Sequence, residues 1–344
     1  AEVVLLGFRR SEMPVRAVAG VDAVDLGRTH NARMGHRAAL TLARAMNPRR
    51  WRALLSGCDA VIGRNLEMLV LAARARDACA PSAALVYECL DIHRLMLRRG
   101  PLGGALRALE RALLARCRWL MVSSPAFVEA YFEPRQSLAT PWLLVENKVF
   151  AAEPAPLQSP PAGPPWRIGW FGMIRCRRSL EMLSTLAGRL PDRVEVVIRG
   201  IPSDDVFGDF QACVAGEPNV TFEGPYRSQD LAQLYAAVHF TWAVDYFDAG
   251  ENSDWLLPNR LYEGALYGSV SLARAGVESG RWVAAHSAGL ALEDPLEDAA
   301  ALLRDLTPQA YAALAQEVRD LPRADLAVDE AECRALVAQL TLVA

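Results

Sequence analysis

Leu257-Pro-Asn-Arg-Leu-Tyr-Glu263-Gly-Ala-Leu-Tyr-Gly268-Ser-Val-Ser-Leu-Ala273 reads as a short helix that runs directly into an apolar strand. Pro-Asn opens the helix, Glu263 sits one turn inside it, and Gly268 supplies the residue type that closes one. The open amides of a helix N-terminus attract anions. A Glu on the first turns can accept hydrogen bonds from a neighbouring diol. A diphosphate attached to a ribose satisfies both. The segment read alone is equally an ordinary helix-to-strand unit of an α/β sheet, so the rest of the chain has to decide.

The chain has 344 residues, more than one core comfortably organises, which predicts two domains. With 52% apolar and 22% charged residues it is a folded protein and not a disordered one. No run approaches the ~18–20 apolar residues of a membrane span. Ala1-Glu-Val-Val-Leu-Leu-Gly7 has no basic flank and runs into strand-like sequence, so no signal peptide is predicted. The seven cysteines are scattered without a C-x-x-C pair, as expected of reduced core thiols in a cytoplasmic protein. His30, His36, His239 and His286 show no metal-ligand spacing.

The net charge of −3 conceals an asymmetry: residues 1–150 carry 22 Lys+Arg against 13 Asp+Glu, and the remainder 15 against 27. Arginine provides nearly all the cations of the first half, including Arg49, Arg50 and Arg52, then Arg94, Arg98 and Arg99. Arg94 and Arg98 share one face if their segment is helical. Such a half suits an anionic membrane surface or a lipid-diphosphate acceptor. Nucleic acid would also satisfy the charge, and so would plain solvent around ordinary polar helices.

Apolar runs at Val3–Gly7, Ala23–Leu26, Ala60–Gly63, Ala84–Glu88, Trp119–Val122 and Trp142–Val145 alternate with helical patterns near Arg33–Leu55, Leu66–Arg76, Leu102–Arg116 and Ala126–Tyr131. That alternation predicts right-handed βαβ units and a parallel sheet. Residues 151–165 hold six prolines and read as a stiff interdomain connector. The alternation restarts at Trp166, with strands near Arg167–Phe171, Val194–Ile198, Val220–Glu223, Phe240–Val244, Val270–Ala273 and Gly289–Leu292. Helices are predicted over Ser179–Arg189, Asp230–Ala236, Asn259–Tyr267 and Ala299–Leu306, with a helical tail at Pro308–Val318 and Glu330–Leu340. The domain expectation is therefore 1–150 for a basic first domain, 151–165 for the linker, 166–325 for the second domain, and 326–344 for a terminal helix that packs back on the first.

Three segments of the second half carry chemistry. Ile168-Gly-Trp-Phe-Gly172-Met-Ile-Arg175-Cys-Arg177-Arg178-Ser179 puts a strand, a glycine turn and three arginines ahead of a helix. Glycine lets backbone amides approach phosphate, and arginine adds bidentate contacts. Asn219-Val-Thr-Phe-Glu-Gly224-Pro225-Tyr226 makes a tight Gly-Pro turn whose backbone can pair with a base edge, with Tyr226 available to stack on it. The loop after the next strand, including Asp245, Glu251, Asn252 and Asp254, is acidic and aromatic and suits a sugar ring.

In this order the segments resemble GT-B glycosyltransferases, in particular the large retaining group 1 family (glycosyltransferase family 4). There a Glu placed like Glu263 grips the donor ribose, a Gly and an Arg/Lys pair hold the diphosphate, and a glycine turn lies beside the nucleobase. The resemblance is strong from Ile168 to Pro295 and loose over the first half. It implies a GT-B fold, α/β with two Rossmann-like parallel-sheet domains facing each other across a cleft. It also implies a donor site at Gly172, Arg175, Arg177, Gly224, Pro225, Tyr226, Asp245, Asn252, Asn259, Arg260 and Glu263. Clustered arginines replace the family's spaced Arg and Lys. Trp255 stands where many members carry the first acid of an E-x7-E pair, so sugar identity and stereochemistry do not carry over. Arg281–Pro295 resembles the family's closing strand and is assigned to the fold.

By the same resemblance the first half is the acceptor side. Arg9, Arg10, Arg64 and Asn65 follow strands and are the acceptor-binding candidates, and Asp91 and His93 the catalytic ones. Asp91 can serve as base in an inverting reaction. In a retaining one the leaving diphosphate assists, and Asp91 or His93 orients groups. An N-cap for Asp91 and a structural role for His93 are the bland alternatives. No Asp-x-Asp occurs, and arginines with a helix N-terminus can neutralise a departing diphosphate, so neither metal nor other cofactor is expected. The implied activity is sugar transfer from a nucleotide diphosphate-sugar, UDP-sugar favoured, to a lipid-linked glycan in bacterial exopolysaccharide or capsule assembly. The protein would be cytoplasmic and peripheral to the inner membrane, with no nucleic-acid partner. The competing readings are a nucleotide-sugar epimerase of the same fold and a non-catalytic nucleotide or polyanion binder.

Overall fold

The computed structural model describes residues 1–29, 34–150 and 160–341. His30, Arg33 and residues 151–159 of the proline tract lie outside the described residues. The chain forms two compact units, one of Ala1–Val145 with Ala331–Ala344 and one of Glu146–Glu330.

In the first unit β1 (Leu5–Arg9) pairs in parallel with β3 (Val21–Arg28), and the short β2 (Ala17–Val18) pairs antiparallel with β3. A second sheet runs in parallel through β4 (Ala60–Arg64), β5 (Ala84–Cys89), β6 (Trp119–Val122) and β7 (Trp142–Leu144), in chain order. The apolar runs became strands because both faces of this sheet are covered. Helices Asn65–Cys79 and Pro101–Leu114 return the chain between strands, and Leu336 and Leu340 of the Glu330–Thr341 helix pack with Val86 and Met121. The helix expected over Arg33–Leu55 is divided: Met34–Met46 ends before Pro48, which cannot donate into a continuing helix, and a 3-10 turn precedes Arg52–Leu55. The Arg94–Leu97 helix stops one residue before Arg98, whose backbone is extended. Arg94 and Arg98 therefore do not share a helix face, contrary to the expectation from their spacing.

The second unit is built on one parallel sheet. Its strands are β9 (Trp166–Ile174), β10 (Val194–Pro202), β11 (Val220–Phe222), β12 (Phe240–Trp242), β13 (Val270–Arg274) and β14 (Gly289–Leu292), following the two-residue β8 (Val149–Phe150). Their spatial order is β11-β10-β9-β12-β13-β14. Counted within this sheet the order is 3-2-1-4-5-6, the doubly wound order whose crevice opens between the first and fourth strands. β9 and β12 are therefore the strands that flank the site. Trp166, Trp170, Phe240 and Trp242 on these strands are 0–1% exposed and anchor the core. β8 pairs with β15 (Ala327–Val328), so Glu146–Phe150 belongs to this unit and not to the first. Patterning did not reveal the Glu278–His286 helix, because the buried face of its first turn is made of Glu278, Ser279 and Gly280 and not of apolar side chains; Gly280 is needed there since a Cβ would lie 2.1 Å from the Arg274 carbonyl.

Candidate functional site

The helix of the opening segment spans Asn259–Leu266, with Pro258 as an N-cap that offers no side-chain acceptor. Its first-turn amides are therefore uncapped by any side chain. At the other end Gly268, at φ +81°, closes a Schellman motif: Gly268 N–H donates to the Ala265 carbonyl at 3.1 Å and Ser269 N–H to the Gly264 carbonyl at 2.8 Å. This cap releases the chain straight into β13. Glu263, half-buried on this helix, accepts a hydrogen bond from Tyr235 Oη at 2.7 Å. Burial raises the Glu263 carboxyl above its usual range, opposed by the Tyr235 bond and by nearby Arg260.

Tyr226 stands close enough to be pushed up to about 12, by burial first and then by the charge of Glu263. A Cβ placed on Gly172 would lie 3.9 Å from the Tyr226 hydroxyl. Gly172, Tyr226, Tyr235, Arg260 and Glu263 are thus one cluster drawn from four elements. Gly172 itself is not in a turn, as the sequence suggested. It lies inside β9 at φ +107° and is paired with Gly200 of β10. Gly200 N–H in turn donates to the Gly224 carbonyl at 2.9 Å. Three glycines at positive φ, Gly172, Gly200 and Gly224, therefore lie side by side across the strand ends, a floor of bare backbone. Pro225 flanks it, exposed, its carbonyl accepting from Arg199 at 3.1 Å. Gly200 was not among the sequence candidates. An isolated glycine within a strand pattern was the available signal.

Arg175 and Asp245 come together from the ends of the two strands that flank the crevice. Arg175 Nη2 donates to Asp245 Oδ2 at 3.3 Å and its guanidinium lies 5.0 Å from the Phe247 ring centroid. Asp245 is 9% exposed, and its other oxygen accepts from Phe247 N–H at 2.8 Å. Arg177 goes elsewhere: it opens the Arg177–Arg189 helix, bonds the Val206 carbonyl and covers Phe207. Arg178 lies over Tyr246, 4.0 Å from its centroid. Asn252 is buried in a one-turn helix, Asn259 is exposed at the head of the longer one, and Arg260 reaches the Trp242 carbonyl at 3.4 Å.

In the first unit Asn65, at φ +61°, bridges two strand ends: its Oδ1 accepts from Leu90 N–H at 3.3 Å and its Nδ2 donates to Asp91 Oδ1 at 3.4 Å. A non-glycine residue in the left-handed region stores strain that neighbouring contacts must hold. Asp91 is exposed. It is His93, not Asp91, that caps the following helix, Nδ1 accepting from Leu95 N–H at 3.2 Å. Arg64 is paired with Glu88 through two bonds of 2.7 and 3.1 Å. Arg9 is held by Asp25 at 2.6 Å, and Arg10 is exposed beside Arg37.

No family model matches the chain. It is 43% identical to the succinoglycan biosynthesis protein ExoL of Rhizobium meliloti (strain 1021), over 99% of this chain and 87% of that one. The chain belongs to the ExoL family. Among solved structures this ExoL-family chain is similar to sucrose-phosphate synthase from Thermosynechococcus elongatus, with a TM-score of 0.72 at 15% identity, covering 98% of this chain and 88% of that one. It is also similar to Anabaena HepE, solved with UDP and glucose, with a TM-score of 0.63 at 14% identity over 93% and 87% of the two chains. These likenesses establish the fold of the ExoL-family chain, that of the GT-B glycosyltransferases.

Proposed function

We propose that this GT-B glycosyltransferase of the ExoL family transfers a sugar from a UDP-sugar to a lipid-linked glycan during exopolysaccharide assembly, without a divalent metal. The observation that carries the donor half is the convergence of Glu263, Tyr226 and Arg260 on the bare strand ends of Gly172, Gly200 and Gly224. Glu263 takes the ribose hydroxyls, the glycine floor lets the uridine lie against backbone, and Tyr226 stacks on it. Arg175 and the uncapped Asn259–Leu266 amides meet the diphosphate, whose negative charge grows as the bond to the sugar breaks. That the Anabaena relative in fold was solved with UDP and glucose favours uridine.

On the acceptor side Asp91 takes the proton of the attacking hydroxyl, its carboxylate exposed and oriented by Asn65. His93 is spent on its helix cap and acts by shaping the loop. Exposed Arg94, Arg98 and Arg99 suit the phosphates of a lipid carrier at the inner face of the membrane. Among the described residues no helix is long and apolar enough to cross a bilayer.

A thermal-shift panel of UDP-, GDP- and dTDP-sugars tests the donor reading, because a ligand of the native state raises its melting temperature. UDP-sugars should give the largest rise. A rise with none of the three, or one with DNA alone, ends the proposal. Product analysis with no acceptor present separates transfer from epimerisation.

A further inference from the structure

Arg199 lies on an inner strand of a parallel sheet, where both faces are ordinarily apolar. Val194, Val196 and Ile198 of β10 follow that rule and are 0% exposed on one face. Glu195, Val197 and Arg199 alternate with them and line an open groove on the other. The Arg199 side chain is 25% exposed, but its Nε is shut off from solvent and hydrogen-bonds no described residue. Glu223 Oε2 stands 3.8 Å from that nitrogen, too far for a hydrogen bond. Withdrawing part of a guanidinium from water without a full set of partners is costly. Packing alone therefore does not account for this residue. Among the described residues its one hydrogen bond runs from Nη2 to the Pro225 carbonyl at 3.1 Å.

That bond falls on the Gly224-Pro225-Tyr226 turn. Gly200, the next residue of β10, donates its N–H to the Gly224 carbonyl at 2.9 Å. Pro225 has no N–H to offer. Two adjacent residues of one strand thus occupy both carbonyls ahead of Tyr226. The N–H and carbonyl of Tyr226 itself bond no other described residue, so one main-chain donor and one acceptor are left free.

We infer that Arg199 is a positioning residue for the nucleobase of the donor. By holding the Pro225 carbonyl it fixes the turn and presents the free main-chain groups of Tyr226 to the polar edge of a uracil. The inference deepens the donor reading and rests on it.

The full chain is titrated by calorimetry with UDP and with 3-methyl-UDP, whose base can no longer donate from N3. Wild type should bind UDP the more tightly. Arg199→Met keeps the aliphatic stem and removes the donor. It should lose about tenfold in UDP affinity and much less for 3-methyl-UDP, while melting as wild type by circular dichroism. Arg199→Lys, which still offers an N–H to the carbonyl, should recover most of the loss. An Arg199→Met variant that binds UDP as wild type does overturns the inference and leaves the donor reading standing. Equal losses for the two ligands also overturn it, because a merely structural role weakens both alike. A wild type that binds no UDP ends the donor reading and this inference with it.

Discussion

Tyr235, whose ring is 0% exposed, donates its phenolic proton to Glu263 Oε2 at 2.7 Å. One carboxylate oxygen is thereby fixed and the other is left to a ligand. Because burial raises the Glu263 carboxyl, the bond has a second effect: a donor to the carboxylate favours its ionised form. The ionised form is the one able to accept from both hydroxyls of a ribose. Donor affinity due to Glu263 is therefore present above its raised folded value and is lost as pH falls through it.

Tyr235→Phe removes both effects. It should weaken UDP binding by about 2 kcal/mol, the size of a hydrogen bond to a charged group, and move the acid limb of the affinity profile to higher pH. Titration calorimetry across pH measures both. The UDP phosphates titrate identically against the two proteins, so the difference belongs to Glu263. A weakened affinity that persists equally for 2′,3′-dideoxy-UDP would mean that Tyr235 supports the fold and not the carboxylate.

Gly200→Ala should abolish donor binding. Its φ is +142°, and a Cβ there would sit 1.8 Å from the Gly172 carbonyl oxygen. That contact is backbone and cannot swing away, so the rung joining β9 to β10 must open and the glycine floor with it. The rest of the sheet keeps its core, so far-UV circular dichroism should change little while UDP no longer raises the melting temperature. Normal UDP binding in this variant would show that the floor is not used.

Most of this architecture is legible in the sequence, for a physical reason. Trp119–Val122 and Gly289–Leu292 match their predicted bounds to the residue because each is a short apolar run bounded by polar or turn residues. Site partners are less visible. Tyr235 lies inside a recognisable helix, but its bond to Glu263 joins residues 28 apart and depends on the crossover between them. The sequence groups Arg175 with Arg177, whereas the start of the Arg177–Arg189 helix turns Arg177 to the Val206 carbonyl and leaves Arg175 with Asp245. Neighbours along a chain part wherever a strand end meets a helix start.

The second unit should lose stability in mild acid through His239. This residue is 1% exposed, and its Nδ1 accepts from Arg167 N–H at 2.9 Å, which leaves the ring proton on Nε2 for the Pro161 carbonyl at 2.9 Å. Burial lowers it from the ordinary 6.5 to about 4. A depressed histidine contributes stability that is whole above the ordinary value and is lost as pH falls from there through the folded value. Melting temperature should thus fall between pH 6.5 and 4. His239→Gln, which can still accept and donate, should melt lower at neutral pH and show a shallower decline. An unchanged slope would assign the acid loss to other groups.

Asp91→Asn keeps the hydrogen bond to Asn65 available while removing the base. If Asp91 takes the acceptor proton, turnover should fall by about 10²–10⁴-fold, the usual worth of a general base, with UDP affinity unchanged. Because Asp91 belongs to the first unit and the proposed donor contacts to the second, the two effects separate cleanly. Loss of affinity together with turnover would instead mean that the substitution disturbs donor binding. The same assay run in EDTA should show wild-type turnover intact, since Arg175 and the Asn259–Leu266 amides are proposed to carry the charge of the departing diphosphate. Turnover that EDTA removes and Mg²⁺ restores would transfer that task to a metal and leave Arg175 a role in binding alone.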